Sequence, residues 1–214
     1  MEAGTRDRSA KENYFFLTSA VCPRPIAWVT SVDPETGVVN AAPFSWFQAV
    51  CADPPLVMLS IADRADGGPK DTLRNIQAGA GFVINIATRE AAEPLVASSG
   101  DFPPEASEVE AVGLRTEPAA AVEAPRLAES PVHLECRLHE ARRYGVSAPV
   151  TLVLAEVVHV HADDAVLDAR GNVDPTRVRF LARLGGQAYA SVDEVFEIPR
   201  PRQEDVLRMR QEGS

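Results

Sequence analysis

Residues 22–31 read CPRPIAWVTS and residues 39–47 read VNAAPFSWF, and the heptapeptide VDPETGV at positions 32–38 joins these two apolar runs. Asp, Pro and Gly in the connection are typical turn residues, so the two runs are predicted to pair as an antiparallel hairpin. Pro43 cannot donate a hydrogen bond to a strand ladder, which places the second run at a sheet edge or at a bulge. The backbone groups beside Pro43 are then free to contact a ligand.

Turn-forming residues also divide the rest of the chain: 17 prolines and 13 glycines separate short apolar runs. This pattern predicts a β-rich protein, and there are too few crossover helices for an all-parallel sheet. We predict strands at 26–32, 38–44, 56–61, 82–87, 132–137, 151–161 and 192–198, and short helices at 71–76, 89–97 and 176–184. Residues 99–128, rich in Glu, Ala and Pro, are expected to form an irregular excursion over the barrel surface, or a lid. Closing the strands into a small antiparallel barrel with a few short peripheral helices removes exposed edges.

The length of 214 residues fits one domain, which we place at residues 12–200. Residues 1–11 are polar and are predicted to be a disordered or loosely packed arm, and residues 201–214 a charged tail. The N-terminal residues include no apolar stretch, so neither a secretory signal nor a transmembrane helix is expected. A cytoplasmic location with no membrane partner is therefore predicted.

The charge balance narrows the classes of ligand. There are 31 acidic residues against 21 Lys and Arg, and the net charge of −10 repels phosphate backbones and acidic lipids. Nucleic-acid binding is therefore not expected. An anionic ligand must be held in a local pocket of backbone N–H groups and a few basic side chains.

One such pocket is suggested by the segment DGGPKDTLRNI at residues 66–76, where a glycine-containing loop enters a helix. First-turn N–H groups, the Lys70 ammonium and the Thr72 hydroxyl would together make a site for phosphate. The spacing of a P-loop is absent, so hydrolysis of a nucleoside triphosphate has no support. The alternative is that Lys70 is solvated and Asp71 is an ordinary helix cap.

A second candidate site lies at the end of the predicted hairpin. Aromatic residues there, Trp28, Phe44, Trp46 and Phe47, stand beside small polar ones, a mixture that suits a flat apolar ligand bordered by hydrogen-bonding groups. The alternative reading is that the aromatic side chains are core and that Asn40 and Ser45 are turn residues.

The sequence gives little support for a metal site, a reactive cysteine, a hydrolase triad or a Rossmann nucleotide site. His159 and His161 share one face of a predicted strand, but no third ligand accompanies them, so we assign no metal site. The three cysteines, Cys22, Cys51 and Cys136, are widely separated and are expected to be buried, inert thiols. A nucleophile elbow and a Rossmann glycine motif are both missing from the sequence.

A series of motifs stands in a recognisable order and spacing. They are PRPIAWVTS at 23–31, NAAPFS at 40–45, DPPLVM at 53–58, KDTLRNI at 70–76, FVINI at 82–86, SPVHLEC at 130–136, and RLGG with YA at 183–190. In these motifs the chain resembles the flavin reductase-like, FMN-binding split-barrel family, close to its flavoredoxin-type branch. The resemblance covers residues 12–200.

The resemblance implies a homodimeric split barrel that binds one FMN per subunit near the dimer interface. Matched motif by motif, Lys70 and Thr72, with Asp71 between them, would hold the phosphate. The flavin ring and ribityl chain would be lined by Thr30, Ser31, Asn40, Ala42, Phe44 and Ser45, with Arg24 nearby. Cys22 precedes the Pro-Arg-Pro turn and therefore falls near the flavin, although packing is its expected role.

The implied activity is an NAD(P)H-dependent flavin reductase that supplies reduced flavin or electrons to a monooxygenase or a small acceptor. The alternative is a flavoredoxin-like FMN electron carrier with a protein redox partner and no direct oxidation of NAD(P)H. One difference from the family pattern bears on the choice between reductase and carrier. Short-chain members carry a Gly-Asp-His segment near the nicotinamide, whereas residues 145–151 here read GVSAPVT. His133, on a neighbouring strand, is the remaining histidine candidate.

Overall fold

The computed structural model describes residues 4–203 and residue 205, and within them it contains four short α-helices and twelve β-strands. The helices are α1 (Ala10–Ala20), α2 (Asp71–Ala78), α3 (Ala92–Ala97) and α4 (Glu108–Val112), with 3₁₀ turns at Thr5–Asp7 and Asp164–Val166. The strands are β1 (Arg24–Pro25), β2 (Ala27–Val32), β3 (Val39–Phe44), β4 (Phe47–Ala52), β5 (Pro55–Ala62), β6 (Phe82–Ile86), β7 (Thr116–Glu117), β8 (Arg126–Leu127), β9 (Val132–Tyr144), β10 (Val150–Ala162), β11 (Leu181–Arg183) and β12 (Tyr189–Ser191).

Seven strands form one antiparallel sheet in the order β3-β2-β6-β9-β10-β5-β4. The two edge strands, β3 and β4, follow each other in the chain and are joined by only Ser45 and Trp46. The sheet must therefore curl on itself to bring its two edges together. The result is a barrel that is split between β3 and β4, and the expected position of Pro43 on an edge strand is confirmed.

Two apolar clusters lie on opposite faces of the curled sheet. Alternate residues of β2 supply both clusters, because successive side chains of a strand point to opposite faces. Ala27 and Val29 belong to the barrel interior, where Leu73 and Ile76 of α2 also pack, so the start of α2 is fixed against the barrel. Trp28 belongs to the outer cluster, which is covered by α3, α4 and residues 114–127.

The predicted excursion at residues 99–128 is thus a packed layer with its own short elements. It contains α4 and the two-stranded pair of β7 and β8, and it buries Leu114, Ala124 and Leu127 against the outside of the barrel. The two faces of β2 are consequently both covered, and all but the last of its six residues are buried.

Two predicted elements near the C-terminus are wrong. Residues 176–184 do not form a helix, because Leu181–Arg183 is strand β11, which pairs with β1 and with β12. Residues 192–198 form no strand, and all seven are exposed. Most of the predicted tail at residues 201–214 lies outside the described residues.

Other elements differ from the prediction in extent. Helix α1 spans the predicted boundary between the arm and the domain, and a Ser9–Glu12 capping box opens it. Strand β4 is additional, and the predicted helix at 89–97 begins only at Ala92. No helix in the part of the chain described here is long and apolar enough to cross a bilayer.

Candidate functional site

A groove follows the open side of the barrel, where β3 leads into β4. Three adjoining cavities of this groove share Pro43 in their walls. The lysine cavity, about 70 Å³, is lined by Ala42, Phe44, Arg64, Lys70, Asp71, Thr72, Glu108 and residues 98–102. The arginine cavity, about 260 Å³, is lined by Tyr14, Phe15, Thr18, Arg24, Ile26, Ser45, Leu95, Ser99, Arg183, Leu184, Gly186 and Tyr189. The outer cavity, about 710 Å³, lies between α1, residues 60–67 and residues 147–150, with Phe44, Ser45, Trp46 and Lys70 also in its walls.

The lysine cavity lies at the N-terminus of α2. Lys70 is the N-cap residue and its side chain makes no capping hydrogen bond, so no cap side chain covers the first-turn N–H groups. The positive end of the helix dipole adds to the charge of the Lys70 ammonium. Thr72 is buried in the same cavity wall. An ammonium, a hydroxyl and backbone N–H groups are the donors that a phosphate monoester requires, so these residues fit the phosphate of FMN.

Asp71 does not cap α2, which corrects the alternative reading of this segment. Its carboxylate forms ion pairs with Arg64 and, at 2.6 Å, with Arg74. The two arginines compensate the charge of Asp71. Within the described residues no acid pairs with Lys70, so its positive charge remains available to a ligand.

Thr30 and Ser31 are predicted site residues that the structure does not bring to the groove. Both are fully buried in β2. The Thr30 hydroxyl donates to the carbonyl of Pro125 at 2.5 Å, and the Ser31 hydroxyl accepts from the Asn75 side chain at 3.1 Å. These hydroxyls therefore join β2 to its two covering layers.

Asn40 is buried in the same polar network. Its Oδ1 accepts from Asn75 at 3.0 Å, and its Nδ2 donates to a carboxylate oxygen of Glu108 at 3.0 Å. The network thus links α2, β3 and α4 immediately behind the lysine cavity. Nothing in the sequence pattern distinguishes a polar residue that faces this network from one that faces the groove.

Ser45 and Arg24 meet at the split of the barrel. The Nε of Arg24 lies 3.5 Å from the hydroxyl of Ser45, and both residues line the arginine cavity. The Arg24 guanidinium also donates to the carbonyls of Thr18, Val21 (2.9 Å) and Leu184 (3.0 Å). Arg24 is thereby fixed between α1, β3 and the segment that follows β11.

Sequence reasoning gave no role to Tyr14, Arg183 and Tyr189, which also line the groove. The guanidinium of Arg183 lies 4.4 Å from the ring centroid of Tyr189 and donates to its hydroxyl. The ring of Tyr14 is parallel to that of Trp46, with 6.5 Å between the centroids. Arg183 and Tyr189 fall in one of the quoted motifs, which is the only signal that could have found them.

The aromatic residues of the hairpin divide between core and groove. Trp28 is fully buried in the outer cluster, as the core alternative proposes. Phe44 packs into the barrel core and also lines the lysine cavity. Trp46 is 40% exposed and faces the outer cavity. The groove therefore has one flat, accessible wall, formed by Trp46 and Tyr14.

The cysteines match the prediction only in part. Cys136 is buried, and burial raises the pKa of its thiol far above the ordinary range. Cys22 and Cys51 are exposed, contrary to expectation. Cys22 follows the largely exposed helix α1, and Cys51 lies in the edge strand β4, in which only Phe47 is partly buried. None of the three lines the groove cavities described above.

The histidines also lie away from the groove. His133 is buried, its Nε2 is 3.0 Å from the carbonyl oxygen of Leu127, and burial lowers its pKa. The His161 ring is 5.5 Å away on the neighbouring strand. Among the described residues, no three His, Cys, Asp or Glu side chains are grouped to hold a metal ion.

Comparison with known proteins explains the combination of this barrel and this groove. A model of the flavin reductase like domain matches residues 19–177. An uncharacterized protein of Halalkalibacterium halodurans is 41% identical over 197 residues, which cover 90% of this chain and 93% of that protein.

Two solved structures share the fold at substantial sequence identity. Nitrilotriacetate monooxygenase component B from Bacillus cereus has a TM-score of 0.87 and is 32% identical, with 92% of this chain and 98% of that chain covered. The 2-nitrobenzoate 2-nitroreductase of Pseudomonas fluorescens has a TM-score of 0.85 and is 30% identical, with 95% and 98% covered. The mainly antiparallel split-barrel fold expected from the sequence is confirmed, and the chain belongs to the flavin reductase-like family.

Proposed function

We propose that the protein is an FMN-binding oxidoreductase that acts as an NAD(P)H-dependent flavin reductase and passes reduced flavin or electrons to an acceptor. One observation carries this proposal. The start of α2, where Lys70 and Thr72 offer donors suited to phosphate, opens into the same groove as a flat aromatic wall, and FMN needs both parts. Membership of the flavin reductase-like family supports the same cofactor.

In this proposal the first turn of α2, Lys70 and Thr72 hold the phosphate. Ala42, Phe44 and Ser45 border the flavin ring along the edge of β3, and Arg24 orients the Ser45 hydroxyl. Bound FMN supplies hydride and single-electron transfer, while the protein binds and orients the reactants. Such chemistry needs no general base from the chain.

Thr30, Ser31 and Asn40 take a different role in this proposal. Their side chains are buried and hydrogen-bonded inside the subunit, so we assign them to holding the shape of β2 and β3 behind the cofactor. Asp71 is likewise assigned to fixing the loop through Arg64.

The acceptor and the assembly belong to the proposal as well. The names of the two solved relatives suggest two kinds of acceptor, a monooxygenase partner and a nitroaromatic compound. We propose a homodimer with the flavin near its interface. Helix α1 supports this, because Tyr14, Phe15, Phe16 and Leu17 are each about half exposed beside the groove. The cytoplasmic location remains a prediction.

The direct test is the visible spectrum of the purified protein with added FMN, after removal of unbound flavin. We expect flavin to remain with the protein and its absorption to bleach when NADH or NADPH is added without oxygen. Loss of all flavin on desalting, with no binding at micromolar FMN, would contradict the proposed cofactor. A third interpretation would then replace it, in which the split barrel has lost flavin and serves as a binding or dimerisation module.

The flavoredoxin-like carrier remains a second candidate because of one observation. The tip of the β9–β10 hairpin carries residues 145–149, and the stretch 145–151 contains no histidine. A carrier would keep FMN bound and oxidised in the presence of either nicotinamide nucleotide. It would nevertheless be reduced by dithionite or by a redox protein.

Replacing Lys70 with alanine is expected to weaken FMN binding about ten- to a hundredfold. A charge-assisted contact with phosphate contributes about 1.5–3 kcal/mol, which corresponds to one to two decades in the dissociation constant. Fluorescence titration of FMN measures the change.

Lys11 provides a matched control, since the chain contains only these two lysines and each substitution takes the net charge from −10 to −11. Lys11 is exposed on α1 and lines none of the three groove cavities. The Lys11→Ala variant should therefore bind FMN like the unmodified protein. Equal dissociation constants for the two variants would remove Lys70 from the phosphate site.

A further inference from the structure

The arginine cavity contains two cations, Arg24 and Arg183, and in the proposed cofactor site only Arg24 has a role, through the Ser45 hydroxyl. Arg24 and Arg183 both line it, and no acid lines it. In the described residues neither guanidinium forms an ion pair, whereas eight other arginines do. In a chain with a net charge of −10, two uncompensated cations at one cavity are unexpected.

Arg24 is the more deeply buried of the two cations, and no acidic side chain among the described residues balances its charge. It is only 8% exposed, and carbonyl oxygens of Thr18, Val21 and Leu184 accept its hydrogen bonds. Carbonyl dipoles solvate a guanidinium but carry no net charge to neutralise it. A buried charge is costly unless it is paired, so the cavity beside Arg24 favours an anion.

Arg183 is the cation that can bond directly to an anionic ligand in this cavity. It donates one hydrogen bond to the Tyr189 hydroxyl and one to the carbonyl of Gly186, and its guanidinium carbon lies 4.4 Å from the centroid of the Tyr189 ring. A guanidinium has five N–H donors, so donors remain for a ligand. Its planar fork matches a carboxylate, which can accept two parallel hydrogen bonds.

The other side chains that line the arginine cavity include apolar and aromatic groups, which favour a ligand with an aromatic ring. Phe15, Ile26 and Leu95 contribute apolar surface, and the Tyr14 and Tyr189 rings are flat. The volume of about 260 Å³ accommodates a single-ring molecule. The arginine cavity also shares Pro43 and Ser45 with the outer cavity, so a molecule held there would lie beside the proposed flavin position.

We infer that the arginine cavity is a binding site for small aromatic carboxylates, with Arg183 as the recognising cation and Arg24 as a fixed second charge. The inference deepens the proposed function, on which it rests, by naming a class of ligand that binds next to the cofactor. The same cations would attract a phosphate group, including that of a nicotinamide nucleotide. The flat rings of Tyr14 and Tyr189, with the apolar side chains of Phe15, Ile26 and Leu95, favour the aromatic carboxylate over phosphate.

The test is isothermal titration calorimetry of the FMN-loaded protein with benzoate, and with the neutral, similarly shaped benzamide. We expect benzoate to bind and benzamide to bind at least tenfold more weakly. Arg183→Gln should weaken benzoate binding about ten- to a hundredfold, because it removes a charge-assisted contact. Arg170→Gln is the control, since Arg170 is 84% exposed and pairs only with Asp168 in its own loop.

Three results would overturn the inference: no binding of benzoate, equal binding of benzamide, or equal binding by the Arg183→Gln and unmodified proteins. Inorganic phosphate is titrated in parallel, and a site that binds phosphate but not benzoate would assign the cavity to a phosphate-bearing ligand instead. Failure of FMN to bind would contradict the proposed function separately. The benzoate comparison would then be made on the cofactor-free protein, where the same outcomes apply.

Discussion

Replacing Trp28 with alanine is expected to lower the free energy of unfolding by about 3–5 kcal/mol, the range for removal of a large aromatic side chain from a packed core. Trp28 is fully buried and is the largest side chain of the outer cluster. It lies on the face of β2 that α3 and residues 114–127 cover, so its removal leaves a cavity between the barrel and that layer. Urea unfolding followed by circular dichroism at one protein concentration measures the loss.

Replacing Trp28 with alanine should also change the wall of the lysine cavity. The indole N–H of Trp28 donates to the Ser98 hydroxyl at 2.9 Å, and that hydroxyl donates to the carbonyl of Leu95 at 2.8 Å. Ser98 and Ser99 line the lysine cavity at the end of α3. Loss of the indole therefore loosens one wall of the proposed phosphate site, and we expect weaker FMN binding in addition to lower stability.

Two variants separate packing from hydrogen bonding. Trp28→Phe keeps an aromatic ring but removes the N–H donor, and it should cost about 1–2 kcal/mol, less than the alanine variant. Trp46→Ala is the control on the other tryptophan, which is 40% exposed. A loss for Trp28→Ala no larger than that for Trp46→Ala would show that the outer cluster does not stabilise the barrel.

The part of the fold that sequence could predict is the part in which local and long-range signals agree. The connection at residues 32–38 carries turn residues, and the runs it joins do pair as β2 and β3 in register from Ala27 to Val32. Pro43 marks an edge strand by its own chemistry, independently of any distant residue. The lysine cavity could be anticipated for the same reason, since a glycine-containing loop, Lys70 and a helix start are all local.

The errors arise where distant contacts override local signals. Asp174 and Pro175 resemble a helix start, but Asp174 accepts from the N–H of Thr176 in a turn, and the chain then pairs with β1. Residues 192–198 form a short run that contains Val, Phe and Ile, yet no strand in the described part of the chain pairs with them.

Distant contacts also decide which residues reach the candidate site, and local sequence does not show them. Thr30 and Ser31 are expected to face a ligand, but residues 99–128 cover the face of β2 that carries Thr30, and α2 covers the face that carries Ser31. The pattern of β2 alone cannot show either covering layer. The arginine cavity was not foreseen, because Arg24 and Arg183 come together only through the pairing of β1 with β11.

Replacing Glu108 with alanine is expected to lower the free energy of unfolding by about 2–4 kcal/mol, because it leaves two buried donors without an acceptor. One carboxylate oxygen of Glu108 accepts from the Asn40 side chain at 3.0 Å and from the backbone N–H of Ala41 at 3.1 Å. Glu108 is 8% exposed, so water reaches this position poorly. Its carboxylate takes the place that a neighbouring strand would have on this edge of the sheet.

Two substitutions define the role of the acceptor oxygen. Glu108→Gln retains one side-chain oxygen, and since both hydrogen bonds go to a single oxygen of Glu108, this variant should lose less than half as much stability. Glu110→Ala removes an exposed carboxylate from the same helix and should change the free energy of unfolding by no more than about 0.5 kcal/mol. All three are compared by urea unfolding at one pH and one protein concentration.

Amide hydrogen exchange then locates the effect. The N–H of Ala41 is on the edge strand β3, two residues before Pro43, and Glu108 is its acceptor. In Glu108→Ala this amide should exchange faster relative to the amides of β9, and FMN affinity should fall because β3 borders the proposed flavin. Unchanged exchange at Ala41 in a variant that is destabilised would mean that Glu108 stabilises α4 alone. Faster exchange confined to Ala41 and its neighbours would identify the carboxylate as the group that holds the open edge of the barrel in place for the cofactor.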